Sequence, residues 1–261
     1  LLTLLPPANY SEPLHPGPPM ILGAGLGSSG TTSLAEALET FNLTSVHFKR
    51  VYGPKKGRSR YSAAGFPVKV YSSLLKSKTG NGLLHSPMRE CDARMSTPST
   101  IRSSLAGFDA ALDTPVPELF ADFFAAYGHG SKAAVILTER SSAESWILRR
   151  WSFCDGDCFV PLLRPCSSPS NASAPPSGEA ARRGTALRDW SVAEIAVMYR
   201  AYHDFVRCVT PPSRLLELNF SKPDREIWQS LALFLSSTLR PRRFSTPTRP
   251  FPHATYSQGK G

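Results

Sequence analysis

The chain has 261 residues, with 30 Lys and Arg against 20 Asp and Glu, for a formal net charge of +10. Hydrophobic residues make up 41%, which excludes wholesale disorder, and no apolar run reaches the roughly 18 residues of a membrane-spanning helix. The positive excess asks for an anionic partner, whether nucleic acid, membrane surface, nucleotide phosphate or acidic glycan, while 24 prolines predict long irregular segments around the core.

In chain order, residues 1–19 hold Pro6, Pro7, Pro13, Pro16, Pro18 and Pro19 and read as an extended arm. A signal or membrane anchor upstream of Leu1 stays open. Met20 to Ala24 is a short apolar run ending in glycine, so it reads as a buried strand. Gly25 to Gly30 is a Gly/Ser loop. Thr31 to Phe41 places Leu34, Leu38 and Phe41 on one helical face. Ser45 to Phe48 is a second strand. Residues 49–104 begin with the basic positions Lys49, Arg50, Lys55, Lys56, Arg58 and Arg60, followed by a strand or short helix over 68–75 and a loop or capped helix over 86–104. Ala106 to Asp113 reads as a strand ending in an acid, and Pro117 to Tyr127 as an amphipathic helix stopped by Gly128-His129-Gly130. Lys132 to Thr138 is the strongest strand signal, continuous and apolar as a central parallel strand should be. A helix over Glu144 to Trp151 follows. Residues 154–186 lack periodicity and read as an inserted loop. Ala186 to Val209 predicts one long helix, Arg214 to Leu218 a late strand, Ile227 to Leu235 a helix, and 240–261 a basic, Pro-rich tail. Alternating strands and helices of this kind predict a single α/β domain over 20–261, a three-layer sandwich around a mainly parallel sheet.

The five cysteines, Cys91, Cys154, Cys158, Cys166 and Cys208, are odd in number and contain no pair of CxxC units, which argues against zinc and for no metal at all. A Cys154–Cys158 or Cys158–Cys166 disulfide and reduced thiols stay open alternatives. Of five asparagines, Asn9, Asn42, Asn171 and Asn219 head Asn-x-Ser/Thr sequons, which points to the secretory or Golgi lumen, with the cytoplasm as the alternative.

The loop from Gly23 to Ser33 follows a strand and opens a helix. Amide groups at such a helix start point outward, the helix dipole adds partial positive charge, and glycine lets the backbone approach an anion. The competing reading is a tight turn with Ser/Thr caps. Gly25, Gly27 and Gly30 satisfy the dinucleotide pattern GxGxxG, but the second strand ends in His47-Phe48-Lys49-Arg50 rather than an acid, so this reading becomes an NADP-binding reductase or epimerase. The nucleoside triphosphatase pattern fails at Thr31, where a lysine is required.

A third pattern fits better. Ser28-Ser29-Gly30-Thr31-Thr32-Ser33-Leu34 resembles the phosphosulfate loop of sulfotransferases. Leu22 to Gly27, the Phe108 to Pro115 strand, Val135 to Arg140 followed by Glu144-Ser145-Trp146, then Phe234-Leu235 and Pro250 to His253, are similar in order to segments of a sulfotransferase-like branch. The resemblance implies a P-loop-like fold and transfer of a sulfuryl group from 3′-phosphoadenosine 5′-phosphosulfate (PAPS) to a hydroxyl or amine of a glycan or small molecule. It implies donor binding by Gly27, Ser28, Ser29, Gly30, Thr31, Thr32 and Ser33, and by Arg140 with Ser145 at the 3′-phosphate. Ser141 and Ser142 are the alternatives to Ser145. The competing reading of Arg140 is a surface ion pair with Glu139 or Glu144. The acceptor proton requires a base, for which Asp113 and His47 are the candidates, Asp113 favoured. Its competing role is to cap the following helix. The family's basic residue stands here as Ser28, which suggests substitution by Lys49, Lys55 or Lys56, or a binding protein that has lost activity. The stretch Ser141-Ser142-Ala143 is longer than the pattern and lacks its proline. No nucleic-acid motif accompanies the charge.

Overall fold

The computed structural model describes residues 20–47, 50–53, 101–102, 105–114, 116–128, 133–154 and 187–253. The strands are β1 (Met20–Gly23), β2 (Ser45–His47), β3 (Arg50–Tyr52), β4 (Ala110–Leu112), β5 (Ala133–Glu139) and β6 (Leu215–Asn219). The main helices are α1 (Thr31–Thr40), α2 (Phe120–Gly128), α3 (Ala143–Cys154), α4 (Val192–Val209) and α5 (Asp224–Thr238). They surround one six-stranded sheet of order β3-β2-β4-β1-β5-β6. Every pairing is parallel except that of β2 with β3. The chain first builds outward from β1 through β2, then fills the gap with β4, and only afterwards crosses to β5 and β6. The reversal beside β1 opens a crevice at the carboxyl ends of the strands, where open α/β sheets bind ligands.

The strands are apolar without interruption because both faces are covered. Met20, Leu22, Ala111, Val135 and Leu137 pack with α2, α3 and α4, using Phe120, Phe123, Trp146, Ile195 and Val206. Ile21, Ala110, Leu112, Ala134 and Ile136 face the other way, against Leu34 and Leu38 of α1 and Trp228, Leu231 and Leu235 of α5. This is the expected three-layer sandwich.

Several boundaries differ from expectation. The expected helix over 186–209 is divided into a short 3-10 turn (Leu187–Asp189) and α4. Ser191 is the reason: its hydroxyl accepts from Glu194 N while the Glu194 carboxylate accepts from Ser191 N, a reciprocal cap that starts a helix. Trp190, expected on the helix, precedes that cap and packs against the core. The strand expected from Ala106 begins only at Ala110, and α2 begins at Phe120 rather than Pro117. β3 answers to no expected element. The tail folds back: Phe251 is buried beside Trp228, its N–H donates to Asp224 Oδ2 at 3.0 Å, and Trp228 Nε1 donates to Arg249 O at 2.9 Å. The arm at 1–19, the 68–75 element, the insertion beyond Cys154 and Lys55 and Lys56 lie outside the described residues.

Glu118, in the turn before α2, accepts from Thr114 Oγ1 at 3.0 Å. Burial pushes its carboxyl up from 4.5 to about 7, helped by the negative Asp113 and opposed by Arg150. Between those two values the unfolded chain releases the proton while the folded chain keeps it, so stability falls as pH rises through that window, by about 3 kcal/mol in all. Glu118→Gln should flatten this part of the profile. Urea midpoints measured from pH 4 to 8 for both proteins would show it, and parallel profiles would refute the buried acid.

Candidate functional site

β1 ends at Gly23, level with Leu112 of β4 and Ile136 of β5. The following loop is held by side chains from α4, α3 and the end of β5. Tyr202 on α4 donates its hydroxyl to Ala24 O at 2.7 Å. Trp146 on α3 donates its indole N–H to Gly27 O at 2.9 Å. Arg140, just after β5, donates Nε to Ser28 O at 3.0 Å. Each of these carbonyls is thus occupied by a protein donor. A β-carbon at Gly25 would lie 1.7 Å from Thr138 Oγ1, so only glycine lets the loop pass β5 this closely. Ser29 and Thr138 share a buried hydroxyl hydrogen bond of 2.7 Å directly beneath. Beyond the loop, Leu34 N closes the first turn of α1 onto Gly30 O at 3.0 Å. The amide groups at the start of any helix lie outside its own ladder, so the α1 terminus carries partial positive charge at the loop.

Two non-glycine residues here have left-handed backbones, Ser28 at φ 72° and Asp113 at φ 63°. Such conformations cost free energy and persist where the surroundings enforce them. Asp113 follows β4, and His47 ends β2, level with Leu112. That register brings the two candidate bases together: His47 Nε2 lies 3.3 Å from Asp113 Oδ2. The same nitrogen is 3.0 Å from Thr31 Oγ1 and 3.4 Å from Thr32 Oγ1. His47 is buried and Asp113 half-buried. The four side chains form one polar cluster at the first turn of α1. Asp113 is not the cap of α2, because Thr114 to Leu119 intervene and the Asp113 carbonyl instead accepts from Val116 N at 2.8 Å.

Arg140 stands at the carboxyl edge of β5, as its position after Thr138 predicts. Its N–H donates to the Tyr199 hydroxyl at 3.2 Å. Burial pulls its pKa down, and the nearby positive Arg149 adds to this. Burial raises that of Tyr199, which therefore stays a neutral phenol. The alternative ion pairs for Arg140 are not formed. Glu139 accepts from His203 Nδ1 at 2.9 Å and from Arg207, and Glu144 lies 3.9 Å from Arg200. Burial works against ionisation of Glu139, but His203 and Arg207 outweigh it and hold the carboxyl below its ordinary value. Ser142 caps α3, accepting from Ser145 N at 3.1 Å, and the Ser145 hydroxyl donates to Ser142 O at 3.1 Å while accepting from Ser141 Oγ at 3.2 Å. The three candidate serines are therefore one hydroxyl cluster beside Arg140.

Of the residues expected at the loop, Gly27 and Ser28 form its rim, Gly30, Thr31 and Thr32 its helix start, and Ser29 and Ser33 are buried. Ser29 supports the loop from below. Sequence reasoning missed Arg150, whose Nη1 lies 3.4 Å from Ser28 Oγ. It also missed the holding role of Tyr199 and Tyr202. A signal for Arg150 existed: it follows Trp146 by four residues, so both occupy one face of α3. Lys49 lies outside the described residues, as do the other lysines expected to compensate for Ser28.

Among curated proteins, none matches the chain. The family model described as a sulfotransferase domain matches residues 20–259, which takes in the loop, β5, α3 and the folded-back tail. The six-stranded, mostly parallel sheet flanked by helices is consistent with the P-loop-like fold of that family, and the chain belongs to the sulfotransferase domain family.

Proposed function

We propose that the protein is a PAPS-dependent sulfotransferase acting on a hydroxyl or amine of a glycan or small molecule, with residues 20–261 as its one domain. The observation that carries this reading is the convergence of Asp113, His47, Thr31 and Thr32 beside the loop of a sulfotransferase-domain chain. The residues fit a phosphosulfate: carbonyls of the loop are tied back, hydroxyls and helix amides are at hand, and Arg140 stands at the sheet edge with a serine cluster beside it. In the reaction an acceptor oxygen or nitrogen bonds to sulfur as the sulfur–oxygen bond to the 5′-phosphate breaks. Adenosine 3′,5′-bisphosphate leaves with the electron pair, and the acceptor proton passes to a base. Asp113 is that base, and His47 holds its carboxylate. Rate enhancement comes from positioning and from charge stabilisation, with no covalent intermediate. No metal is invoked.

Calorimetric titration with adenosine 3′,5′-bisphosphate should show binding, and Arg140→Ala should weaken it by about 10- to 100-fold, since a charged phosphate contact is lost. Tight NADPH binding without bisphosphate binding would replace this reading with a reductase.

Asp113→Asn should leave bisphosphate affinity within about threefold and slow transfer by about 100-fold or more, as loss of a general base does. The assay is transfer of radiolabelled sulfate from PAPS to a panel of hydroxyl- and amine-bearing acceptors. Bisphosphate binding without any transfer would favour a binding protein that has kept the fold, the alternative raised by Ser28.

We assign the protein to the secretory lumen on its sequons. Asn42 is exposed, with φ 58° in the turn after α1. Passage through a eukaryotic secretory pathway should give a band that shifts on endoglycosidase treatment, with one step lost in Asn42→Gln. An unshifted band would favour the cytoplasm.

A further inference from the structure

Ser28 leaves the loop without a cation of its own, yet a guanidinium already lies against it. Arg150 extends from α3, one turn beyond Trp146. The Trp146 indole is fixed at both ends of its contact, bonded to Gly27 O at 2.9 Å and packed on the Tyr199 ring with centroids 5.1 Å apart. That anchor sets the distance between α3 and the loop and brings the next turn of the same helix face over Gly27 and Ser28. Arg150 Nη1 lies 3.4 Å from Ser28 Oγ. A β-carbon at Gly27 would sit 2.7 Å from Arg150 Nη1 and 3.3 Å from its Cζ, with Asp113 Oδ1 3.2 Å away. Gly27 thus lies directly under the guanidinium and beside the Asp113 carboxylate. A side chain at 27 would push the cation off the loop.

Arg150 is half-buried where it meets the loop. Taking a guanidinium out of water costs free energy unless anions compensate. Asp113 and Glu118 face it, and both stabilise its charge against burial. Glu118 is held protonated up to about 7, so near neutrality it offsets that charge only in part. Arg140 meets the same residue from its other side, bonding the Ser28 carbonyl while Arg150 meets the Ser28 hydroxyl. Residue 28 is therefore gripped by two arginines from two elements, one at its backbone and one at its side chain. A larger residue at 28 would collide with the position Arg150 now holds.

We propose that Arg150 supplies from α3 the positive charge that the loop lacks at Ser28, and that its guanidinium binds the phosphosulfate end of the donor. The assignment rests on the sulfotransferase reading and divides the work between two arginines, with Arg140 at the 3′-phosphate and Arg150 at the group being transferred. It also gives a reason for Ser28 being small and hydroxylated: it yields space to the guanidinium and keeps a donor beside it. The cation enters through the helix rather than through the loop, so the loop need not be inactive because it lacks one.

The test compares wild-type protein with Arg150→Met, Arg150→Lys and the double variant Ser28→Arg/Arg150→Met. Affinities for adenosine 3′,5′-bisphosphate and for PAPS are measured by calorimetry, transfer by radiolabelled sulfate from PAPS to the same acceptor panel, and folding by thermal melting. Arg150→Met should weaken PAPS binding by about 10- to 100-fold, the loss of a charge-assisted contact, and bisphosphate binding by less. Arg150→Lys should fall between, because a point charge replaces a planar fork. The double variant should recover most of the lost transfer, since the charge returns from the loop side. A merely structural arginine would give no such rescue. If Arg150→Met fails to fold, a folded double variant that binds PAPS supports the assignment, and a folded one that does not bind overturns it. Folded Arg150→Met with unchanged PAPS binding and transfer overturns it while the sulfotransferase reading stands. Wild-type protein that binds neither nucleotide removes both.

Discussion

The structure depends on how the turn after β1 disposes of its carbonyl groups. An anion site built from backbone needs amides facing outward, and each exposed carbonyl nearby would repel the ligand. Here Tyr202, Trp146 and Arg140 take the carbonyls of Ala24, Gly27 and Ser28. These donors come from α4, α3 and the end of β5, so the loop fixes where those elements must stand. Beneath it, the Ser29–Thr138 hydroxyl pair and the contact between Gly25 and Thr138 permit no side chain. The large buried aromatics of one core layer thus serve two ends: they fill space and their polar tips shape the loop.

A second arrangement keeps charges apart. Glu139 and Arg140 are adjacent in sequence and sit at one strand end, where they would cancel if they paired. Alternation along β5 sends them to different sides, and the Glu139 carboxylate is taken up by His203 and Arg207. Arg207 also bonds Glu217 at 2.8 Å, tying α4 to β6 and β5 at once. Arg140 is left with Ser28 and Tyr199, both neutral. Its charge remains available at the mouth of the crevice because a separate ion-pair network absorbs its neighbour.

Local signals were readable in the sequence, and long-range ones were not. The strand, glycine loop and helix from 20 to 41 are consecutive, so periodicity and turn chemistry reveal them together, and Arg140 follows a strand that hydrophobicity alone identifies. The His47–Asp113 contact joins residues whose elements pair only through the register of β2 with β4, and nothing in the composition of either segment encodes that register. The long helix over 186–209 failed for a local reason: Ser191 and Glu194 spell a start signal that apolar spacing on both sides obscures. Arg150 was hidden differently. On an amphipathic helix a charged residue normally faces water, and only the buried Trp146 one turn earlier marks that face as inward.

The net charge of +10 has at least two destinations. Arg149 opposes the charge of Arg140 beside the loop, while Arg150 meets Ser28 with Asp113 and Glu118 supporting its charge. Tail arginines act as fasteners instead. Arg242 lies 3.4 Å from Asp109, whose other oxygen accepts from Thr44 N at 2.8 Å, and Arg249 bonds Thr40 at the end of α1. Between them Phe251 inserts against Trp228. The basic, proline-rich end that composition alone would assign to an anionic partner is in part a strap binding α1, β4 and α5 together. Low dielectric surroundings give the charges of the half-buried Arg140 and Arg150 more effect than those of solvated residues.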